Sequence, residues 1–172
     1  MKFRKAIKSE ANKIIDMYDA AVRQMNNKGL YQWDHNYPTK EILLQDIDRQ
    51  CLFVMEEEGL IYGAIVLDEF QDKEWDEVDW TLKNEPSLNV HRLVVHPDSQ
   101  GKGVAKKIIA SSEEFAIDNG YKQIRLDTYS ENTGAMKLYL KLGFEEIGTV
   151  DFGREKLFVC YEKLLVKQES AG

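Results

Sequence analysis

With 172 residues, 43% of them hydrophobic and 31% charged, the chain has the size and composition of one globular domain, long enough to bury about two-thirds of its unfolded surface. A net charge of −7 argues against nucleic acid as a partner, and no apolar run approaches the roughly 18 residues that a membrane span requires. The opening Met-Lys-Phe-Arg-Lys-Ala-Ile lacks the apolar stretch of a secretory signal. Cys51 and Cys160 read as buried, reduced thiols in strands, so a cytoplasmic location is the expectation.

Residues 3–7 form a short strand. Ser9 is placed to cap a helix in which Ile14, Tyr18, Val22 and Met25 recur at helical spacing, ending near Gly29. Thr39 caps a second helix through about residue 49, with Ile42, Leu43 and Ile47 inward. Residues 52–56 and 60–67 flank the Glu58-Gly59 turn as an antiparallel hairpin. Residues 68–86 are an acidic excursion without periodicity, carrying Trp75 and Trp80. It is either a solvated flap or a segment that attracts a polyamine or basic peptide. A strand over 90–95 leads into a helix with Val104, Ile108 and Phe115 on one face, closed by Gly120. Residues 122–129 form the next strand, a parallel neighbour of 90–95 because a helix crosses between them. Asn132 opens a short helix, and strands over 145–150 and 156–164 complete the chain.

The most informative stretch is Leu93-Val94-Val95-His96-Pro97-Asp98-Ser99-Gln100-Gly101-Lys102-Gly103-Val104-Ala105. A β-branched apolar run ends at Pro97, a turn follows, and two glycines open a helix. Glycine lets the main chain approach a ligand closely or take positive φ. A helix N-terminus adds unpaired N–H groups and the positive end of a dipole, which together favour an anion such as phosphate. A P-loop requires Lys-Ser or Lys-Thr after its last glycine, where Val104-Ala105 stand. A dinucleotide fingerprint requires a small residue three positions after Gly103, where Lys106 stands. Neither pattern is met.

What remains, Gln100-x-x-Gly103-x-Ala105, resembles the Gln/Arg-x-x-Gly-x-Gly/Ala signature of the GNAT acyltransferases. A second stretch, Asn132-Thr133-Gly134-Ala135-Met136-Lys137-Leu138-Tyr139-Leu140-Lys141-Leu142-Gly143-Phe144, resembles that family's Asn-x-x-Ala-x-x-Leu-Tyr-x-Lys-x-Gly-Phe segment at every specified position. The residues agree on their own account. Asn132 is a good N-cap, Ala135, Leu138, Tyr139 and Leu142 share a helix face, and Gly143 suits the helix end. The resemblance covers residues 88–150 well and the remainder only in element order. It implies a mixed α/β sheet of about six to seven strands flanked by about four helices, in the order β-α-α-β-β-β-α-β-α-β-β, as one domain over residues 1–172.

The resemblance also implies chemistry. Acetyl-CoA is the co-substrate, its diphosphate held by main-chain amides among Gln100, Gly101, Lys102, Gly103, Val104 and Ala105. Its pantetheine pairs with the backbone of Leu93, Val94 and Val95 like an added strand. Asn132, Ala135 and Tyr139 complete the cofactor contacts, and an amide near Val95 stabilises the oxyanion. Tyr139 is the acid that protonates the departing CoA thiolate, or else an ordinary aromatic on a packed helix face. Lys102 and Lys106 add field near the phosphates or are simply solvated. The proton acceptor is less constrained. Many members carry a glutamate where Asn89 stands, and asparagine cannot take a proton. His91, Asp127 or a water chain to bulk remain, with His91 the chosen residue and a structural histidine its alternative.

The loop bearing Tyr31, Trp33 and Tyr37 lies where the resembled fold places a wall of the acceptor pocket. Its aromatics suit a cationic or amphipathic amine, or else anchor the loop on the core. His35, His91 and His96 show no metal-ligand spacing, so no metal is expected. The function implied is transfer of an acetyl group from acetyl-CoA to a primary amine by direct attack in a ternary complex. The alternatives are a ribosomal-protein type N-terminal acetyltransferase, a non-catalytic acyl-CoA-binding or sensing module, and a plain structural domain. A homodimer through the terminal strands is compatible with the resemblance, though no residue specifies it.

Overall fold

The computed structural model describes residues 1–166, so the last six residues of the expected domain lie outside it. Its strands are β1 (Lys2–Lys5), β2 (Leu52–Glu57), β3 (Leu60–Asp68), β4 (Leu88–Val95), β5 (Gln123–Tyr129), β6 (Glu145–Val150) and β7 (Phe158–Leu164). Its helices are α1 (Ala11–Asn27), α2 (Lys40–Asp48), α3 (Val104–Asp118) and α4 (Thr133–Lys141). The strands follow the order β1-β2-β3-β4-β5-β7-β6 in one mixed sheet, and the element order is the one the sequence implied. The chain gathers into two compact units: Met1–Asp68 with Val90–Ile109, and Glu69–Asn89 with the chain from Ala110 onward.

In the first unit β1, β2 and β3 form an antiparallel meander. Glu58 and Gly59 take φ of +50° and +81°, the two left-handed positions of a tight hairpin turn whose twist matches the strands. Thr39 caps α2 as expected, accepting from the Ile42 amide at 3.2 Å. Ser9 does not cap α1. It sits within a 3-10 turn, Lys8–Glu10, where Glu10 accepts from the Ile7 amide at 3.0 Å while its carboxylate is gripped by Arg4 at 2.6 and 2.9 Å. Glu10 is the residue that precedes α1 and makes no side-chain capping bond to it; its carboxylate closes the 3-10 turn instead. The core comprises Ile14, Met17, Tyr18, Ala21 and Val22 of α1, Leu43 and Ile47 of α2, and Leu52, Val54, Ala64, Val66 and Val94 of the sheet. Ile42 is only half-buried; the position on the inward face of α2 goes instead to Asp46, which is 2% exposed.

In the second unit β5 pairs antiparallel with β7 from Gln123 opposite Leu164 to Tyr129 opposite Phe158. β6 pairs with β7, with a register shift between Glu146 and Gly148. The parallel ladder expected between 90–95 and β5 occurs slightly earlier, joining Leu88 to Ile124 and Asn89 to Arg125. β7 starts at Phe158 rather than 156.

The excursion is not a solvated flap. Trp75 and Trp80 are buried; the Trp80 indole donates to the Trp75 carbonyl and the Trp75 indole to Asp127 Oδ2, both at 2.9 Å. Arg125 lies 4.6 Å over the Trp80 ring and donates to the Leu82 carbonyl. Gln123 donates to the carbonyls of Leu82 and Glu85, and Glu162 accepts from the Thr81 amide. Around these anchors the segment stays wet, with Glu69, Glu74, Asp76, Glu77, Asp79 and Glu85 exposed. The reason is physical: two large aromatics stabilise by burial, and the polar side chains of β5 and β7 satisfy the carbonyls and amide this buries.

Both cysteines are free and buried, Cys160 within β7 and Cys51 just ahead of β2 rather than inside it. Burial pushes the Cys51 thiol up to about 11 and the Cys160 thiol up to about 12. Because the thiolate is the reactive form, an aromatic disulfide reagent at pH 8 is expected to label neither while the protein is folded, and both in denaturant. Close packing gives a second expectation. A Cβ on Gly63 would lie 2.7 Å from the Val94 carbonyl oxygen and 2.7 Å from Ile108 Cδ1. Gly63→Ala should therefore cost about 1–3 kcal/mol by overpacking against a main-chain atom, seen as a melting temperature lower by several degrees.

Candidate active site

The first unit carries the anion-binding feature. After β4, His96 Nδ1 accepts from the Asp98 amide at 3.1 Å and the His96 carbonyl from the Ser99 amide at 2.8 Å, forming the turn that Pro97 starts. Gln100 is extended, then Gly101 and Gly103 take φ of +79° and +75° with nothing within 4 Å of where a Cβ would stand. The backbone here is exposed and left-handed twice, a shape that only glycine adopts cheaply. The first hydrogen bond of α3 runs from the Lys107 amide to the Gly103 carbonyl, so the amides just ahead have no helical partner. Val104 is buried and fixes the start of α3, Ala105 is half-buried, and Lys102 and Lys106 are exposed. An exposed main chain ahead of a helix N-terminus, with amides that have no helical partner, suits a phosphate.

Along β4, Val94 is buried in the core while Leu93 and Val95 are half-buried. The strand is not regular. Arg92 has φ +51°, and its guanidinium donates to both carboxylate oxygens of Asp46, at 2.8 and 2.9 Å, and to the Tyr37 hydroxyl at 2.9 Å. The Tyr18 hydroxyl donates to the Arg92 carbonyl at 2.6 Å. Burial raises the Asp46 carboxyl above its ordinary value, with Arg92 opposing the rise. Burial works to lower Arg92, but Tyr37 and Asp46 outweigh it and hold the guanidinium above its usual range. The two-pronged geometry is that of an ion pair. Next to Arg92, His91 Nε2 lies 3.1 Å from Asp68 Oδ1, and Arg49 lies 3.8 Å from Asp68 Oδ2.

The acceptor-loop aromatics divide. Trp33 is buried and packs on Tyr18 with ring centroids 5.9 Å apart, so it anchors the loop instead of facing an acceptor. Tyr37 is half-buried against Arg92, and its peptide bond to Pro38 is cis. Tyr31 alone of the three is exposed.

In the second unit Asn132 caps α4 by accepting from the Ala135 amide at 3.2 Å. Ala135 is half-buried and Tyr139 buried, the latter 5.8 Å from the rings of both Phe144 and Tyr161. Burial pushes the Tyr139 phenol well above its ordinary value, and Asp127 and Tyr161 act in the same direction, so it keeps its proton at neutral pH. Asn89 is fully buried, its side chain accepting from the Ser87 hydroxyl and donating to the Phe70 carbonyl, which makes it structural. Asp127 is engaged by the Trp75 indole.

Asp46, Arg92 and Tyr18 escaped the sequence reading as polar partners. The signal was present: an arginine inside a β-branched run and an aspartate between Leu43 and Ile47 both sit at core positions, where a charge demands a partner. Among the described residues no group of three or more His, Cys, Asp or Glu is arranged to hold a metal, and no helix is long and apolar enough to cross a membrane.

Comparison with known proteins bears on this arrangement. A human N-acetyltransferase 8B is 33% identical over 98 residues, 57% of this chain. The chain spans 40% of that relative's length, and between 32% and 41% for others of its kind. An aminoglycoside N(6')-acetyltransferase type 1 of Salmonella enteritidis is 28% identical over 150 residues, covering 78% of this chain and 98% of that protein. A Salmonella typhimurium structure solved with its cofactor acetyl-CoA superposes with a TM-score of 0.72 at 20% identity, over 100% of this chain and 98% of that one. The glycine turn at the head of α3 and the Asn132-capped helix are thus set in a fold shared with acetyltransferases, and the family's own model matches residues 14–144: the chain belongs to the acetyltransferase (GNAT) family.

Proposed function

We propose that this chain is an acetyl-CoA-dependent N-acetyltransferase that moves an acetyl group directly onto a primary amine. The observation carrying this reading is the doubly left-handed turn of Gly101 and Gly103 at the start of α3, a main-chain cradle for the diphosphate of coenzyme A. Each amide–phosphate contact contributes about 1.5–3 kcal/mol, so a few suffice for a micromolar ligand. Leu93 and Val95 offer main-chain groups to the pantetheine, as does Val94 between them, and an amide near Val95 receives the charge that develops on the thioester oxygen. Asn132 and Ala135 are further cofactor contacts in this reading.

The amine nitrogen attacks the thioester carbonyl carbon, the C–S bond breaks, and CoA leaves as a thiolate that takes the Tyr139 proton. The phenol holds its proton at neutral pH, as a donor must, although burial makes it a weaker acid than a free tyrosine. The amine's own proton passes to His91. Asp68 Oδ1, 3.1 Å from Nε2, orients the ring. Tyr31 and Tyr37 are the aromatics of the acceptor loop, with Trp33 as their support. The acceptor class we favour is a small amine or amino sugar, because the aminoglycoside-modifying relative is matched over nearly its full length.

The direct test is CoA release from acetyl-CoA against a panel of amines, polyamines, amino sugars and peptide N-termini, alongside calorimetry with CoA. Transfer to peptide N-termini alone would move the acceptor to the ribosomal-protein class, and tight CoA binding without transfer would mark a sensor. Two variants refine it. Gly103→Val forces a β-branched residue to φ +75°, at a cost of about 1–2 kcal/mol, and should weaken CoA binding roughly tenfold or more. Tyr139→Phe should lower kcat about 100-fold with CoA affinity unchanged, the range for loss of a positioned acid; an unaltered rate and pH profile would remove Tyr139 from the mechanism.

A further inference from the structure

We propose that Arg92 is a positioning residue: clamped from three sides in a left-handed conformation, it sets the course of β4 so that the main chain of Leu93, Val94 and Val95 meets the acetyl thioester. This rests on the functional reading above, which assigns those three residues to the co-substrate. Three non-glycine residues among the described ones have positive φ. Gln50 follows a helix and Glu58 sits in a hairpin turn, where such conformations are common. Arg92 lies inside a strand, between His91 and Leu93, where extended backbone is the rule.

A long side chain in that conformation persists only when its surroundings over-determine it. They do so here with separate elements. The Tyr18 hydroxyl, on α1, holds the Arg92 carbonyl at 2.6 Å. Asp46, on α2, holds Nε and Nη2 with both oxygens. Tyr37, in the loop between those helices, holds Nη1. Tyr18 is fully buried and the Asp46 side chain is 3% exposed, so the clamp is shielded from competing water. A left-handed residue in a strand acts as a bulge does: it turns the peptide groups that follow and re-aims their amides. Arg92 also spends its guanidinium on the protein itself, which accounts for a charged side chain beside an apolar run without assigning it to a substrate.

The test compares Tyr18→Phe, Arg92→Gly and Arg92→Leu with the wild type, reading kcat, CoA affinity by calorimetry, and melting temperature. Tyr18→Phe keeps the buried ring and loses only the hold on the Arg92 carbonyl. It should lower kcat about tenfold with a melting temperature within a few degrees of wild type. Arg92→Gly should retain about tenfold more kcat than Arg92→Leu, since glycine takes φ +51° freely and leucine does not. Wild-type kcat in Tyr18→Phe, or equal rates in two folded Arg92 variants, would overturn the inference while leaving the transferase reading intact. A wild-type protein that neither binds CoA nor transfers acetyl would overturn both. Should the Arg92 variants fail to fold, Tyr18→Phe decides alone.

Discussion

A carboxylate and a guanidinium cannot be taken out of water singly, and that constraint organises the first unit. Asp46 sits on the inward face of α2 between Leu43 and Ile47, and it is tolerable there because Arg92 meets both its oxygens. The same guanidinium holds Tyr37, and the main chain of the same residue is held by Tyr18. Helix α1, helix α2, the loop between them and strand β4 are therefore tied to one residue. Apolar side chains of like volume often satisfy a core equally well in energy, but they would leave nothing to fix where α2 sits along the strand. Hydrophobic contact is indifferent to small slides; a two-pronged hydrogen-bonded pair is not.

The second unit solves a related problem with different chemistry. Gln123, Arg125 and Glu162 are buried side chains on strands, a placement that ordinarily costs free energy. Each is matched to main-chain groups of residues 81–85, so an irregular segment with few backbone partners of its own obtains them from side chains of the sheet. Trp75 and Trp80 supply the apolar part of the same contact. The result is a loop anchored at Trp75, Trp80 and residues 81–85, with most of its acidic residues in solvent.

Local signals were legible in the sequence wherever a short-range rule decides the structure. Thr39 and Asn132 cap their helices, Glu58-Gly59 closes the hairpin, Gly143 ends α4, and the glycine turn before α3 is left-handed as its composition required. The order of elements followed from these punctuation marks and from periodicity. What was not legible depends on partners distant in the chain. Ser9 is no cap because the chain winds a 3-10 turn there, tied at its start by the Glu10 carboxylate that Arg4 holds. The excursion read as solvated because its acids outnumber its two tryptophans, although burial of the two is what anchors it. Trp33 read as a pocket wall or an anchor, and only Tyr18 packed against it distinguishes them. Arg92 adopts a conformation that no local propensity favours, since its cause lies on α1, on α2 and in the loop between them.

The distribution of indoles has a practical corollary. The chain holds three tryptophans. Trp33 is enclosed in the first unit, whereas Trp75 and Trp80 pack with tilted rings in the second, centroids 5.1 Å apart, the Trp80 indole donating to the Trp75 carbonyl. Ultraviolet emission from a protein with Trp33 replaced by phenylalanine reports on the second unit alone, and emission from one lacking the other two reports on the first. The molecule thus carries a built-in pair of optical gauges, through which the cooperativity of its two halves can be measured without any attached dye.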